Sequence, residues 1–170
     1  MTGTVESAPP TPAVTMRVVV VDDDPDVVEL TRETLEDAGF VVDAYLDLDD
    51  ALDLLPDRQG PFVLVLDNDF NRPDGLRGWH LAERLRREHP WGSRLPIIYL
   101  TATMDTDEFA DLVRDRGPFA PTFIALKGGH RGRPLDIVAE VNRALEQFAD
   151  LHRVDTAQHL RRAVSRWSQR

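Results

Sequence analysis

Acidic side chains directly follow two strongly apolar segments of the sequence. Asp22 and Asp23 follow a run of valines, and Asp67 follows Phe-Val-Leu-Val-Leu, with Asp69 two residues further on. Two carboxylates about 4 Å apart repel each other by roughly 4 kcal/mol at an effective dielectric constant of about 20. A cluster of them must therefore be partly protonated or neutralised by a cation. Ligation by oxygen alone, with positions left open for water or a phosphoryl oxygen, suits Mg²⁺.

A hydroxyl and an ammonium group follow two further apolar segments. Thr101 follows Ile-Ile-Tyr-Leu, and Lys127, the only lysine among 20 basic residues, follows Phe-Ile-Ala-Leu. A lysine provides a compact point charge beside a phosphate, which a planar guanidinium does not. Taken singly, such residues are more often turn formers, local hydrogen-bonding groups or solvated charges. Taken together, they predict a phosphoryl-binding pocket in which one carboxylate is an available nucleophile.

The elements that would position these side chains alternate regularly. Short apolar segments, typical of strands buried on both faces, alternate with segments of helical spacing. Strands are predicted at residues 18–21, 40–46, 62–66, 97–100 and 122–126, and helices at 25–38, 49–55, 79–88, 105–114 and 134–148. This alternation predicts an α/β fold with an open, doubly wound parallel sheet covered by helices on both faces. Ligands bind such sheets beyond the carboxyl ends of the strands, where the acidic, hydroxyl and ammonium groups lie.

The composition excludes several classes of protein. With 170 residues, 42% of them hydrophobic and 29% charged, the sequence is typical of one globular domain with tails. A formal net charge of -10 disfavours general nucleic-acid binding. The absence of cysteine excludes disulfides, thiolate nucleophiles and Cys-ligated zinc. No apolar run approaches the roughly 20 residues of a membrane span, so we expect a cytoplasmic protein that does not enter membranes.

Three segments of the chain differ in composition. Residues 1–16, rich in Thr and Pro, are predicted to be a flexible leader, and residues 17–150 the folded domain. Residues 151–170 contain five arginines and one acidic residue, and their apolar residues recur at the spacing of a basic amphipathic helix. That helix would pack on the acidic domain, or dock a partner or a second copy. Because a segment of this length cannot hold a DNA-binding domain, we expect no direct DNA binding.

The sequence resembles the receiver domain of two-component response regulators. The resemblance is carried by VVVVDDDPDVVELTRETLEDAGF, FVLVLD, IIYLTA and the lysine after the last predicted strand, and it covers roughly residues 17–148. It implies a flavodoxin-like fold with five parallel strands in the order 2-1-3-4-5. It also implies that Asp67 is the phosphoacceptor, and that Mg²⁺ is held by the carboxylates of Asp22, Asp23 and Asp67 and by the backbone carbonyl of Asp69.

The same resemblance implies roles for the remaining polar groups and the partners. Thr101 would hydrogen-bond the phosphoryl group, and Lys127 would pair with one of its oxygens. The donor would be a phosphohistidine on a sensor histidine kinase or a histidine phosphotransfer protein, and the output a change in contacts with a downstream protein target. A homodimer could form through residues 151–170 or through the face of the fourth and fifth strands and helices. We expect no dedicated turnover enzyme, only a protein that catalyses its own phosphorylation and dephosphorylation.

Some positions depart from the receiver pattern. Gly128 follows the lysine, where the family usually has proline. The aromatic residue that usually lies three positions before the lysine is replaced by Ile124, and the neighbouring Phe123 should point to the other face of the sheet. The loop after Asp67 is longer than usual if Gly78 begins the third helix. The usual aromatic switch therefore lacks its residue.

Two other interpretations remain open at this point. FVLVLDNDF also fits the nucleophile motif of haloacid dehalogenase-type phosphatases, an Asp-x-Asp after a buried strand. In that family the acidic metal pair comes last, whereas Asp22 and Asp23 precede Asp67 here. The chain could also be a receiver-like binding module that takes no phosphate. Ile124 and Gly128 slightly favour this interpretation. The presence of all the acidic residues together with the hydroxyl of Thr101 and the ammonium of Lys127 argues against it.

Overall fold

The computed structural model of the chain describes residues 17–102, 106–113, 122–129 and 132–147. The strands are β1 (Arg17–Val21), β2 (Val41–Tyr45), β3 (Phe62–Asp67), β4 (Ile97–Thr101) and β5 (Thr122–Leu126). The helices are α1 (Pro25–Asp37), α2 (Leu48–Leu54), α3 (Gly78–Glu88), α4 (Thr106–Val113) and α5 (137–147), with a 3₁₀ turn at Gly92–Arg94. The predicted leader at 1–16 and the predicted amphipathic helix at 151–170 lie outside the described residues.

The strands form one parallel sheet in the order β2-β1-β3-β4-β5. The predicted fold class and strand order are therefore confirmed. After β1 the chain forms β2 on one side of it and then β3 on its other side, so the direction of winding reverses between β1 and β3. In open parallel sheets this reversal opens a crevice at the carboxyl ends of the two strands.

The register of the sheet brings the predicted site residues to that edge. Asp22 and Asp67 each come directly after the last residue pair that joins β1 to β3. Thr101 is the last residue of β4, and Lys127 directly follows the neighbouring strand β5. All four residues therefore lie at the carboxyl ends of hydrogen-bonded strands.

Both faces of the sheet are covered by helices, as the sequence predicts. Alternate strand residues face α2, α3 and α4 on one side and α1 and α5 on the other. In β1, Val19 and Val21 belong to the first core and Val18 and Val20 to the second, and none is more than 1% exposed. Because both sets of side chains are buried, this strand is a continuous run of β-branched residues without polar alternation.

Aspartate side chains fix the first residue of several helices. Asp24 accepts hydrogen bonds from two backbone N–H groups at 3.0 and 3.4 Å, and Pro25 follows as the first residue of α1, as predicted. Asp47 caps α2, which therefore begins one residue earlier than predicted. Asp136 accepts a hydrogen bond from the backbone three residues further on, so α5 begins after it and the predicted start at Pro134 was wrong. Among the helices described, none has the length and apolar character needed to cross a bilayer.

Candidate functional site

Three carboxylates meet at the crevice between β1 and β3. Asp22, Asp23 and Asp67 each offer one oxygen, and these oxygens lie within 4.8 Å of one another. Asp22 and Asp67 are buried, at 1% and 3% exposure, whereas Asp23 is exposed. The structure thus brings together three of the four predicted metal ligands, two of them buried and one open to solvent.

Lys127 lies against the two buried carboxylates. Its Nζ is 2.7 Å from Oδ2 of Asp22 and 3.1 Å from Oδ1 of Asp67. Its backbone N–H donates to the carbonyl oxygen of Thr101 at 2.9 Å, which ties the loop after β5 to the end of β4. One ammonium therefore compensates both buried carboxylates at once, and removing it would leave both without their counter-charge.

The pocket perturbs the acid–base behaviour of its own groups. Burial raises the pKa of Asp67, repulsion from Asp22 raises it further, and Lys127 opposes both effects. Burial lowers the pKa of Lys127, but its contacts with Asp22 and Asp67 outweigh this, and the pKa of the ammonium is raised above its ordinary value. The ammonium therefore keeps its charge, while the charge on Asp67 is stabilised less than it would be in water.

The donor set fits a hard divalent cation. Oδ1 of Asp22 accepts a hydrogen bond from the backbone N–H of Asp24 at 3.0 Å, which orients the carboxylate. Its Oδ2 is buried and accepts no hydrogen bond of normal geometry, although the ammonium of Lys127 is close to it. A buried carboxylate oxygen with unused lone pairs, within reach of two further carboxylates, is a donor set typical of Mg²⁺.

The fourth predicted ligand, Asp69, is placed differently from the other three. Its backbone N–H donates to Oδ2 of Asp67 at 3.1 Å, so the residue adjoins the pocket. Its carboxylate pairs instead with Arg77, whose Nη1 lies 2.6 Å from Oδ1. The role of the Asp69 backbone carbonyl stays a prediction, and its side chain is held by an arginine that the sequence analysis did not single out.

Neighbouring side chains of β5 face opposite sides of the sheet, as the sequence predicts. Thr101 is the buried last residue of β4. On β5, Phe123 packs with the core under α1 and α5, whereas Ile124 packs with the core under α2, α3 and α4. On the Ile124 side, Tyr99 meets Phe109 edge to face, with ring centroids 5.3 Å apart. An aromatic pair between β4 and α4 therefore occupies the side of the sheet where Ile124 replaces the usual aromatic residue.

The start of α3 packs directly against the end of β3, a contact that the sequence analysis missed. Asn68 accepts hydrogen bonds from the first two residues of α3, through its carbonyl from Gly78 at 3.1 Å and through its side chain from Trp79 at 3.3 Å. A β-carbon on Gly78 would lie 1.9 Å from the carbonyl oxygen of Asp67, so only glycine fits there. The one sequence signal for this contact was a glycine at the start of a predicted helix after a long polar loop.

Comparisons with known proteins agree with this geometry. The model of the family described as the response regulator receiver domain matches residues 18–117. The phosphate regulon transcriptional regulatory protein PhoB of Rhizobium meliloti is 40% identical over 92 residues, which cover 54% of this chain and 38% of PhoB. Response regulator MprA of Mycobacterium avium is 39% identical over 93 residues, covering 55% of this chain and 38% of MprA. An uncharacterized 14.6 kDa protein of Leptolyngbya boryana is 44% identical over 87 residues, covering 51% of this chain and 63% of that protein. The chain thus spans less than two thirds of the length of each of these relatives.

Solved structures with the same fold cover more of the chain than the family model does. Response regulator StyR has a TM-score of 0.61 and 25% identity, over 86% of this chain and 67% of that one. A response regulator receiver protein from Sinorhizobium medicae also has a TM-score of 0.61, with 21% identity, over 81% of this chain and 98% of that one. At this level of identity, the second likeness shows a shared fold and nothing more specific.

Proposed function

Because the chain belongs to the response regulator receiver-domain family, we propose that it is a phosphoacceptor in phosphorelay signal transduction. Asp67 accepts the phosphoryl group, and the donor is a phosphohistidine on a sensor histidine kinase or a histidine phosphotransfer protein. The observation that carries the proposal is the buried carboxylate of Asp67 beside those of Asp22 and Asp23, with the ammonium of Lys127 3.1 Å away.

The transfer replaces a phosphorus–nitrogen bond by a phosphorus–oxygen bond. An oxygen of Asp67 attacks the phosphorus atom while the bond to the histidine breaks, and the product is an acyl phosphate on Asp67. The bonding electron pair stays on the ring nitrogen, and a proton on the other ring nitrogen makes the imidazole a neutral leaving group. A Mg²⁺ ion held by the carboxylates of Asp22, Asp23 and Asp67 and the carbonyl of Asp69 would neutralise the negative charge that develops there.

Lys127 and Thr101 complete the proposed pocket. The ammonium of Lys127 pairs with Asp67 before transfer and with a phosphoryl oxygen after it, and the hydroxyl of Thr101 donates to another phosphoryl oxygen. The phosphoryl group adds about −1.5 to −2 charges, which draws both residues toward it. Because these residues end β4 and follow β5, the response reaches the face of those strands and their helices.

The output of this switch is a change in protein contacts. We propose that a downstream protein target, or a second copy of the chain, binds the β4–β5 face in one of the two states. The proposal assigns no direct DNA contact to the chain and places the exchange in the cytoplasm.

Incubation with acetyl phosphate and Mg²⁺, followed by intact-mass measurement, tests the proposal. We expect the chain to gain the mass of one phosphoryl group, and the gain to disappear in Asp67→Asn or when a chelator removes the metal. Asp37→Asn is a matched control, because Asp37 is the exposed last residue of α1, the end of that helix away from the pocket. That variant should be labelled like the wild type.

Two results, the second from a separate assay with a phosphate ester, would favour the other interpretations. No mass gain that depends on Asp67 would favour a receiver-like binding module that takes no phosphate. Turnover of a phosphate ester for many cycles per chain would favour a phosphatase.

A further inference from the structure

The carboxylate of Asp69 lies beside the proposed phosphoryl pocket and is neutralised by one arginine. The backbone of Asp69 hydrogen-bonds Oδ2 of Asp67, and its Oδ1 lies 2.6 Å from Nη1 of Arg77. The charge of Asp69 lies close to the pocket, since the backbone N–H of this residue is 3.1 Å from a carboxylate oxygen of Asp67. A free carboxylate at this position would therefore add to the repulsion among the buried acids.

The backbone of Arg77 is fixed independently of its side chain. Its N–H donates to Nδ1 of His80 at 3.0 Å, and its carbonyl accepts a hydrogen bond from the backbone N–H of His80 at 3.0 Å. The residue lies immediately before α3, whose first residue packs on the end of β3. A change of the Arg77 side chain therefore leaves the hydrogen bonds at the start of α3 in place.

The loop between Asp69 and Arg77 is held at two further points. Phe70 is only 4% exposed and belongs to the core under α2, α3 and α4. Arg72 pairs with Asp74 at 2.6 Å within the loop and with Asp49 of α2 at 3.0 Å. The loop therefore follows a defined path that returns Arg77 to Asp69.

The net charge of the pocket depends on Arg77. The pocket contains four carboxylates and one ammonium group, so its net charge is three negative. The carboxylates are those of Asp22, Asp23, Asp67 and Asp69, and the ammonium is that of Lys127. When Arg77 pairs with Asp69, the remaining charge is two negative, which one divalent cation matches.

We propose that Arg77 is a positioning residue for the phosphoryl pocket. It holds the Asp69 carboxylate away from the carboxylates that bind the cation, and it shields an anion on Asp67 from the Asp69 charge. The inference rests on the proposed function, because it concerns the cation and the phosphoryl group that the pocket receives.

The proposal predicts effects of opposite sign for a cation and for an anion. Without Arg77 the uncompensated charge of Asp69 would attract Mg²⁺ more strongly and repel the phosphoryl group. A variant that merely loosens the fold would weaken both. The pair is about half exposed, at 55% for Arg77 and 45% for Asp69, so it contributes little to the stability of the fold.

Calorimetric titration of the full chain with Mg²⁺ tests the first effect. We expect Arg77→Met to lower the Kd for Mg²⁺ by about fivefold at low salt. In the Asp69→Asn background the same change should alter the Kd by less than about twofold, because the charge that Arg77 neutralises is gone. Arg84→Met is a matched control, since it removes an arginine from α3 that pairs with Glu88 instead. It should leave the Kd within about twofold of the wild type.

Labelling by acetyl phosphate at saturating Mg²⁺ tests the second effect. We expect Arg77→Met to slow labelling severalfold and Arg77→Lys to restore most of the rate, with the free energy of unfolding unchanged in both. An Arg77→Met variant with the wild-type Kd, or a Kd that shifts equally in Arg84→Met, would overturn the inference and leave the proposed function standing. A wild-type chain that binds no Mg²⁺ through Asp22 and Asp67 would overturn the proposed function and the inference with it.

Discussion

Gly78 and the carbonyl oxygen of Asp67 are in direct contact, because a β-carbon on residue 78 would lie 1.9 Å from that oxygen. The first turn of α3 thus supports the backbone of the residue that we propose as the phosphoacceptor. The atoms nearest to that β-carbon belong to the backbone of Asp67 and Asn68, which cannot rotate away as a flexible side chain could. The position of the Asp67 carboxylate therefore depends on the absence of a side chain at residue 78.

We expect Gly78→Ala to lower the free energy of unfolding by about 3 kcal/mol, the upper end of the usual cost of overpacking. Urea denaturation followed by circular dichroism measures this change. Gly128→Ala is the control, because a β-carbon there meets no atom within 4 Å, and it should change the stability by less than about 0.5 kcal/mol. Equal stability of the two variants would contradict the packing described for α3.

Lys127→Met should destabilise the fold in the absence of metal. Two buried carboxylates, Asp22 and Asp67, would lose the ammonium that lies 2.7 and 3.1 Å from them. We expect a loss of about 2 kcal/mol, somewhat below the usual cost of breaking a fully buried pair because the lysine is partly exposed. Urea denaturation in the presence of a chelator measures it. Asp67→Asn should stabilise the Lys127→Met chain more than it stabilises the wild type, and an equal gain in the two backgrounds would show that the two charges are not coupled.

Asp67→Asn should stabilise the chain when no metal is present. Burial and the nearby Asp22 raise the pKa of Asp67. When folding raises the pKa of a carboxyl group, the free energy of unfolding falls as the pH rises through that pKa. Asparagine carries no charge to be desolvated, so we expect a gain of about 1 kcal/mol at neutral pH. Thermal unfolding with a chelator measures the gain. Asp23→Asn, at the exposed position of the cluster, should change the stability by less than about 0.5 kcal/mol.

The buried His89 should make the stability depend on pH below neutrality. Its Nδ1 accepts a hydrogen bond from the N–H of Trp91 at 3.1 Å, so Nε2 carries the proton and donates to the carbonyl of Arg58 at 2.8 Å. Burial lowers the pKa of His89. As the pH falls below about 6.5, the unfolded chain takes up a proton that the folded chain resists, and the free energy of unfolding falls.

Denaturation of His89→Gln and the wild type between neutral pH and mildly acidic pH measures this dependence. The wild type should lose stability more steeply, by at most about 1.4 kcal/mol per pH unit for one proton. A slope that is the same in His89→Gln and the wild type would show that another group causes it.

The strands and their order could be predicted from the sequence because burial on both faces leaves a strong local pattern. The segment at 122–126 was predicted with the bounds that the structure gives β5. The predicted β1, β3 and β4 differ from the structure by one residue at one end, and β2 by one residue at each end. Helix starts were less predictable, since the choice between Pro134 and a later residue depended on which side chain caps the helix. In α5 that side chain is Asp136.

The pocket could be predicted because its residues are adjacent in sequence to buried strands, whose ends meet in any parallel sheet. The register places Asp22, Asp67 and Lys127 at the same edge of the sheet, within reach of a long lysine side chain. The pair between Asp69 and Arg77 could not be predicted, because it depends on the path of the intervening loop. That path is set by the burial of Phe70 and the contacts of Arg72, which no local pattern in the sequence shows.

A protease that cuts only after lysine has a single bond to attack in this chain, the one between Lys127 and Gly128. The lysine side chain is only 24% exposed and is held by two carboxylates. The protease can therefore bind this side chain only after the ammonium has left the carboxylates. The rate of cleavage at this bond therefore reports how often the lysine side chain leaves the two carboxylates. Any compound that keeps the lysine in place would protect the whole chain from digestion.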